Sequence, residues 1–264
     1  MATTTFIPSM LRGAGTRGVP SIPAGSSFTN IYSVLYDGVD DRTETSVNYS
    51  EFDGETKGSF SFWFKSDGSY GGGHLAKVGP PYSRRTFEHL LSISSTTRFT
   101  FYMAQGSSGK NFFVNLPGNP RTDGLWHHIM VCLDLSKSTG TEKAKFFYDG
   151  NPYTISGGSN LGASFPSHPA TLTVGGTTQG NGSFTGNIDE VAFWAGVDLR
   201  DDITTIYNSG IPNDLNNNGL TLPTTYYRMG DNNGGTGTTI TDNGTTSYDL
   251  SFVSAPIFEE DVPS

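Results

Sequence analysis

The chain has 264 residues, 34% of them in the hydrophobic set and 12% aromatic, with a net charge of −9 from 16 Lys and Arg against 25 Asp and Glu. No basic cluster interrupts that acidity, which excludes a phosphate-tracking nucleic-acid surface, and no run approaches the ~20 apolar residues of a membrane helix. A single cysteine, Cys132, excludes an internal disulfide and reads as a buried core thiol. The 34 Gly and 14 Pro fall between periodic runs, so they mark turns in one large domain rather than disorder.

Residues 1–30 have no helical or strand period, contain Pro8, Pro20 and Pro23, and carry Arg12 and Arg17 without an acid. They read as an extended arm of charge +2, leaving −11 (−9 − 2) for the rest. Phe6, Ile7 and Leu11 are too apolar for a solvated linker, so the arm is expected to anchor on a partner subunit. Those three side chains would fill apolar clefts while Arg12 and Arg17 meet acidic groups. Strands are then expected at 31–36, 58–65, 74–78, 87–94, 98–103 and 111–115. In the second, Phe60, Phe62 and Phe64 share one face and Ser61, Trp63 and Lys65 the other. Phe99, Phe101 and Met103 should likewise point inward. Residues 126–134 form a nearly continuous apolar run, so both faces of that strand should be covered. Residues 143–148 and 152–155 flank Asp149-Gly150, a pair suited to the positive φ of a type I′ hairpin turn. Strands at 171–174 and 187–194 follow. Asp198 offers a helix N-cap, Ile203, Ile206 and Tyr207 lie on one helical face, and Gly210 and Pro212 end the helix. Strands at 225–229 and 248–253 complete a domain over 31–254, and 255–264 read as a C-terminal tail. A dozen short strands with turns between them predict an all-β, two-sheet antiparallel sandwich with one short helix.

Five blocks occur in order: Tyr36-Asp-Gly-Val-Asp-Asp41, Ser59-Phe-Ser-Phe-Trp-Phe-Lys65, Gly124-Leu-Trp-His-His-Ile-Met130, Phe147-Tyr-Asp-Gly150, and Phe184-Thr-Gly-Asn-Ile-Asp-Glu-Val-Ala-Phe-Trp194. Together they resemble laminin-G-like, concanavalin-A-like jelly rolls, and the resemblance covers roughly residues 31–254. It implies a jelly roll used for binding and architecture as often as for catalysis, and it makes the Trp126 block a core and sheet feature. Such domains usually work outside cells, yet the opening residues show no secretory signal pattern. With a Thr/Gly/Asn-rich, Lys-poor composition, this suggests delivery on a particle. The expectation is a non-enzymatic virion protein of a tailed phage, a capsid decoration or tail accessory present in symmetric copies and displaying a lectin-like domain to surface glycans. The alternative is a soluble carbohydrate-binding protein, and a glycan-cleaving enzyme ranks last.

The chemistry-bearing residues support that order. Asp189 and Glu190 are neighbours in a strand and should point to opposite faces, so they could not act on one bond. The alternating acids of related β-glucanases are missing, because 187 is Asn and 191 is Val. Asp189 is expected on the face of Val191 and Phe193, half-buried and structural. His127 and His128 diverge too, and no third metal ligand stands at a fitting spacing. No cofactor is expected; calcium is the alternative, either at Asp214-Leu-Asn-Asn-Asn-Gly219 or at a rim formed by Asp37, Asp40, Asp41 and Asp231. Sugar stacking would need exposed rings, for which Tyr70, Tyr82, Tyr153 and Tyr207 are candidates.

Overall fold

The computed structural model describes residues 28–67, 73–78, 87–95, 97–105, 108–156, 161–167, 170–177 and 182–264. Phe6, Ile7, Leu11, Arg12 and Arg17 lie outside the described residues, as does all of the expected arm before residue 28. In chain order the strands begin with β1 (Ser33–Asp37), β2 (Arg42–Thr45), β3 (Lys57–Ser66), β4 (Gly73–Val78) and β5 (Phe87–Ser95). Next come β6 (Arg98–Gln105), β7 (Ser108–Asn115), β8 (His127–Asp134), helix α1 (Gly140–Lys143), β9 (Ala144–Tyr148), β10 (Asn151–Tyr153) and β11 (Leu172–Val174). The chain closes with β12 (Thr185–Ala195), helix α2 (Ile203–Tyr207), β13 (Thr225–Tyr227), β14 (Thr239–Ile240), β15 (Leu250–Val253) and β16 (Ile257–Glu259).

The strands form two antiparallel sheets. The first has the order β10-β9-β8-β3-β12-β1-β16 with β13 added on β12, and the second the order β14-β15-β2-β11-β4-β5-β6-β7. Their facing surfaces make one core, as the alternation in β3 requires. Phe60, Phe62 and Phe64 are buried in it with Phe99, Phe101 and Met103 of the second sheet. Phe60 stacks on Phe52 at 4.8 Å and reaches across to Phe101 at 5.8 Å. Ring pairs of this kind add about 0.5–1.5 kcal/mol each beyond the area they bury.

The first sheet is covered on its outer face as well. Met130, Cys132, Phe147, Ala192, Trp194 and Tyr226 pack there against Leu199, Ile206 and Leu215 from the α2 stretch. Both faces of β8 are therefore buried, as its unbroken apolar run predicted. Burial pushes the Cys132 thiol up to about 12, which leaves it an inert core group. Among the described residues, no helix is long and apolar enough to cross a membrane.

Several local expectations change. Helix α2 is only five residues long, and its N-cap is Asp202 rather than Asp198. Asp198 instead turns the chain before it, accepting hydrogen bonds from the Arg200 amide at 3.2 Å and guanidinium at 2.6 Å. A second helical turn, α1, forms where Thr139 and Glu142 make a capping box. Residues 255–264 are not a tail. β16 extends the sheet by pairing with β1, and Asp261 holds Lys65 Nζ at 2.6 Å and Trp126 Nε1 at 2.9 Å. Such a strand is hard to read in sequence because Pro256 and three acids surround its short apolar run.

Candidate functional site

β12 changes neighbours along one edge. β1 pairs with Thr185–Ile188, and β13 takes over at Val191–Phe193. Between them, on the opposite edge, the register against β3 slips between Asp189 and Ala192, and Glu190 adopts a φ of 46°. This is a β-bulge, which inserts a residue and re-aims the side chains beyond it. Ile188, Val191 and Phe193 all enter the core. The extra residue leaves Asp189 and Glu190 together on the outer side, against Asn30 and Tyr226. Three expectations are thereby overturned, the first being that Asp189 and Glu190 point to opposite faces of the strand. Asp189 does not share the face of Val191 and Phe193, and it is fully buried rather than half-buried.

The acids occupy the gap left by the strand exchange and satisfy backbone groups that have lost ladder partners. Asp189 accepts from the Glu190 amide and from Asn30 Nδ2, both at 2.8 Å. Asp231 accepts from the amides of Ile31 and Tyr32, both at 2.9 Å. Arg228 bonds Asp231 at 2.7 Å and Glu190 at 3.4 Å, and its guanidinium lies 4.3 Å over the Phe28 ring. Tyr226 donates its hydroxyl to Glu190. One guanidinium cannot neutralise three carboxylates, and burial disfavours charge. Burial first, and then the neighbouring Glu190 and Asp231 charges, hold the Asp189 carboxyl well above the usual range. Burial likewise raises Glu190, against the pull of Tyr226 and Arg228. Chemically, the cluster clasps residues 28–32 to the sheet.

Although two carboxyls converge here, the described residues leave only a small space beside them. The cavity beside Glu190, bordered by Ser61, Trp63, Ile206 and Asn213, is about 10 Å³, room for roughly one water. Ser61 Oγ and His128 Nε2 share a 2.8 Å hydrogen bond behind it, and burial lowers His128 to about 3, a neutral ring. His127 points elsewhere, between Asp149 at 2.8 Å and Asp123 at 3.1 Å. Burial pulls its pKa down, but the hydrogen bonds and charges of the two acids outweigh it and raise the net value.

The expected rim acids are only partly brought together. Asp37, Asp40 and Asp41 offer oxygens within 4.8 Å of one another, whereas Asp231 belongs to the clasp. Two of the three are also used by the backbone. Asp37 already receives the Val39 amide at 2.8 Å, and Asp41 receives those of Ala255 at 2.8 Å and Asp37 at 3.2 Å. In the other candidate loop, Asp214 is engaged by the Asn216 amide at 3.0 Å and Asn217 Nδ2 at 2.5 Å.

Of the four tyrosines, Tyr70 and Tyr82 lie outside the described residues. Tyr207 is stacked on Trp63 at 5.8 Å and presses on Gly150, where a Cβ would meet its ring at 2.4 Å. Tyr153 is different. β9 pairs with β8 from Ala144 to Tyr148, but with β10 only from Phe146 onward. Beyond Tyr153 the chain leaves the first sheet and reaches the second, where Ser156 bridges to Phe113 of β7. That crossing opens a groove of about 340 Å³ lined by Thr141, Lys145, Phe146, Pro152, Tyr153 and Thr154. The volume lies in the small-ligand range. Sequence reasoning marked Tyr153 as a candidate but had no means of placing the groove, because its second wall depends on the bridge to β7.

The sequence matches the family model for the concanavalin A-like lectin/glucanases superfamily (laminin G type) over residues 37–204. The chain belongs to that family. No curated protein matched the sequence. Among solved structures, a candidate carbohydrate binding protein from Bacteroides ovatus superposes with a TM-score of 0.59 at 14% identity. That superposition covers 89% of this chain but only 62% of the other, so this chain spans less than two thirds of it. The CBM40 of Ruminococcus gnavus IT-sialidase, bound to α2,3 sialyllactose, gives 0.50 at 14% identity over 70% of this chain and 100% of its own. At these identities the likeness is one of fold.

Proposed function

We propose that this chain is a carbohydrate-binding module that acts by binding rather than catalysis, with its glycan seated in the groove beside Tyr153. The observation that carries this reading is the groove itself, which combines a partly exposed ring for stacking on a sugar face with the Thr141 and Thr154 hydroxyls for its edges. The family and the ligands named for the fold neighbours are consistent with it. Among the described residues the space beside Glu190 has room for roughly one water, which argues against a substrate reaching the buried acid pair. Calorimetric titration with glycans selected on an array tests the reading. Tyr153→Ala should weaken binding about tenfold, the equivalent of roughly 1.4 kcal/mol, with no new reducing ends released on long incubation. Unchanged affinity in that variant, or steady product release, would refute it.

A second reading has the module carried on a virion through residues 1–27. It is favoured by the clasp, which fastens residues 28–32 to the sheet through Arg228, Asp231 and Asp189 and so gives a segment before them a firm base. In this reading Phe6, Ile7, Leu11, Arg12 and Arg17 grip a capsid or tail protein. A variant lacking 1–27 should melt like the full chain yet fail to join particles; full incorporation would discard this role.

A further inference from the structure

Each ring nitrogen of His127 faces a carboxylate, Nδ1 that of Asp149 at 2.8 Å and Nε2 that of Asp123 at 3.1 Å. The two acids are held differently. Asp149 stands in the turn between β9 and β10, and its other oxygen accepts the His128 amide at 2.8 Å, so it is fixed to the sheet. Asp123 belongs to residues 122–125, an exposed tip of the loop before β8. Its other oxygen accepts only the Leu125 amide at 3.1 Å, a bond within the tip. The Thr122 amide reaches the Asn119 carbonyl at 3.0 Å in the same loop. Among the described residues, Asp123 on His127 is the one hydrogen bond from the tip to a strand. Gly124, at φ 69°, has open space where a Cβ would stand.

We propose that His127 is a proton-operated latch, whose imidazolium holds the 122–125 tip down through Asp123 and whose neutral ring lets the tip go. An imidazolium has two N–H donors and serves both acids, whereas a neutral ring has one donor and one lone pair. Asp149, anchored by a backbone amide, keeps the donor. Asp123 is then left against a lone pair, and only bonds within its own loop oppose its departure. The other groups around the ring do not compete for its proton. β9 presents Tyr148, stacked at 4.9 Å with its hydroxyl kept protonated by burial, and β3 presents the Phe64 ring at 5.8 Å. Lys65 is engaged by Asp261, and His128 bonds Ser61 on the opposite face of β8. Burial disfavours the charged ring, but the two acids outweigh it and move its titration above the ordinary value of about 6.5. The tip is therefore held in mildly acidic solution and released on the alkaline side of that value. The latch does not depend on the carbohydrate reading.

Nuclear magnetic resonance on the full, isotope-labelled chain tests the proposal, with the His127 ring nitrogens followed from about pH 5 to about pH 9. The order of the Gly124 backbone is read at each pH by carbon-detected relaxation, which needs no exchangeable amide proton. Gly124 should be as ordered as the sheets in acid, with an order parameter of about 0.85, and fall below about 0.6 as the ring loses its proton. The two changes should share one midpoint. Asp123 is exposed, so Asp123→Ser should fold, and matching melting curves verify it. In that variant Gly124 should be loose at every pH and the His127 midpoint should move down. Gly124 equally ordered on both sides of the ring's titration would overturn the latch, as would a ring that keeps its proton to the end of the range. A pH-dependent loosening that persists in Asp123→Ser would overturn the role of the Asp123–His127 pair.

Discussion

Glu190 and His128 are both fully buried on the outer side of the first sheet, and they titrate with opposite consequences for stability. Glu190 has its pKa raised by burial, so the folded chain holds a proton that the unfolded chain gives up. Its stabilisation is complete below the unfolded carboxylate pKa and is lost as pH rises through the folded value. His127, raised by Asp149 and Asp123, has the same sign above about pH 6.5. His128, lowered to about 3 by burial, does the reverse, contributing stability above about pH 6.5 that is lost as pH falls toward 3. From pH 4.5 to 6.5 the His128 slope opposes those of Glu190 and Asp189, and above 6.5 the decline is unopposed. The melting temperature should therefore fall by several degrees between pH 6.5 and 8, at roughly 2–4 °C per kcal/mol. Glu190→Gln should flatten that fall, and His128→Gln should extend it down to pH 4.5. A melting temperature independent of pH in wild type and both variants would contradict the assignment.

The bulge in β12 and the pairing of β16 show how far an element depends on its neighbours. Alternation in β12 is readable up to Ile188, and residues 191 and 193 still enter the core. The intervening pair cannot be placed by periodicity because β1 leaves and β13 arrives between them, and the two are nearly 190 residues apart in sequence. The hairpin between β9 and β10 is the opposite case. Asp149 at φ 48° and Gly150 at φ 74° form the turn that those two residues announce. For β16, Phe258 lies 4.9 Å from Phe252 across the open end of the sandwich, and Asp261 ties the strand's far end to β3. Removal of residues 255–264 should accordingly lower stability by about 2–4 kcal/mol, the burial of one aromatic plus a part-exposed ion pair. Denaturant titration would show a lower midpoint, and an unchanged midpoint would restore the view of this stretch as a loose end.

The molecule as a whole is held by rings between two sheets, with a second apolar layer under α2. Phe60 sits at the crossing point, within 6.2 Å of Phe52, Phe101, Phe165 and Phe193. Phe60→Ala should cost about 3–5 kcal/mol, because four facing rings cannot all collapse into the void. A loss below 1 kcal/mol in chemical denaturation would mean that the core relaxes far more than its packing implies. The clasp and the groove lie at different places on this body. The clasp bridges β12, β13 and the residues before β1, whereas the groove lies where the chain after β10 crosses to β7. Glycan affinity and the fastening of residues 28–32 should thus be separable by mutation.

The sandwich, its inward phenylalanines, the doubly covered β8 and the Asp-Gly hairpin follow from local periodicity and turn chemistry, both of which act within a few residues. Where Asp189 and Glu190 point, what Asp231 holds, that residues 257–259 join a sheet and that Tyr153 borders a groove were settled by the assembled fold. Each depends on which distant strand supplies or withholds hydrogen bonds at one position, and chain neighbours carry no record of that.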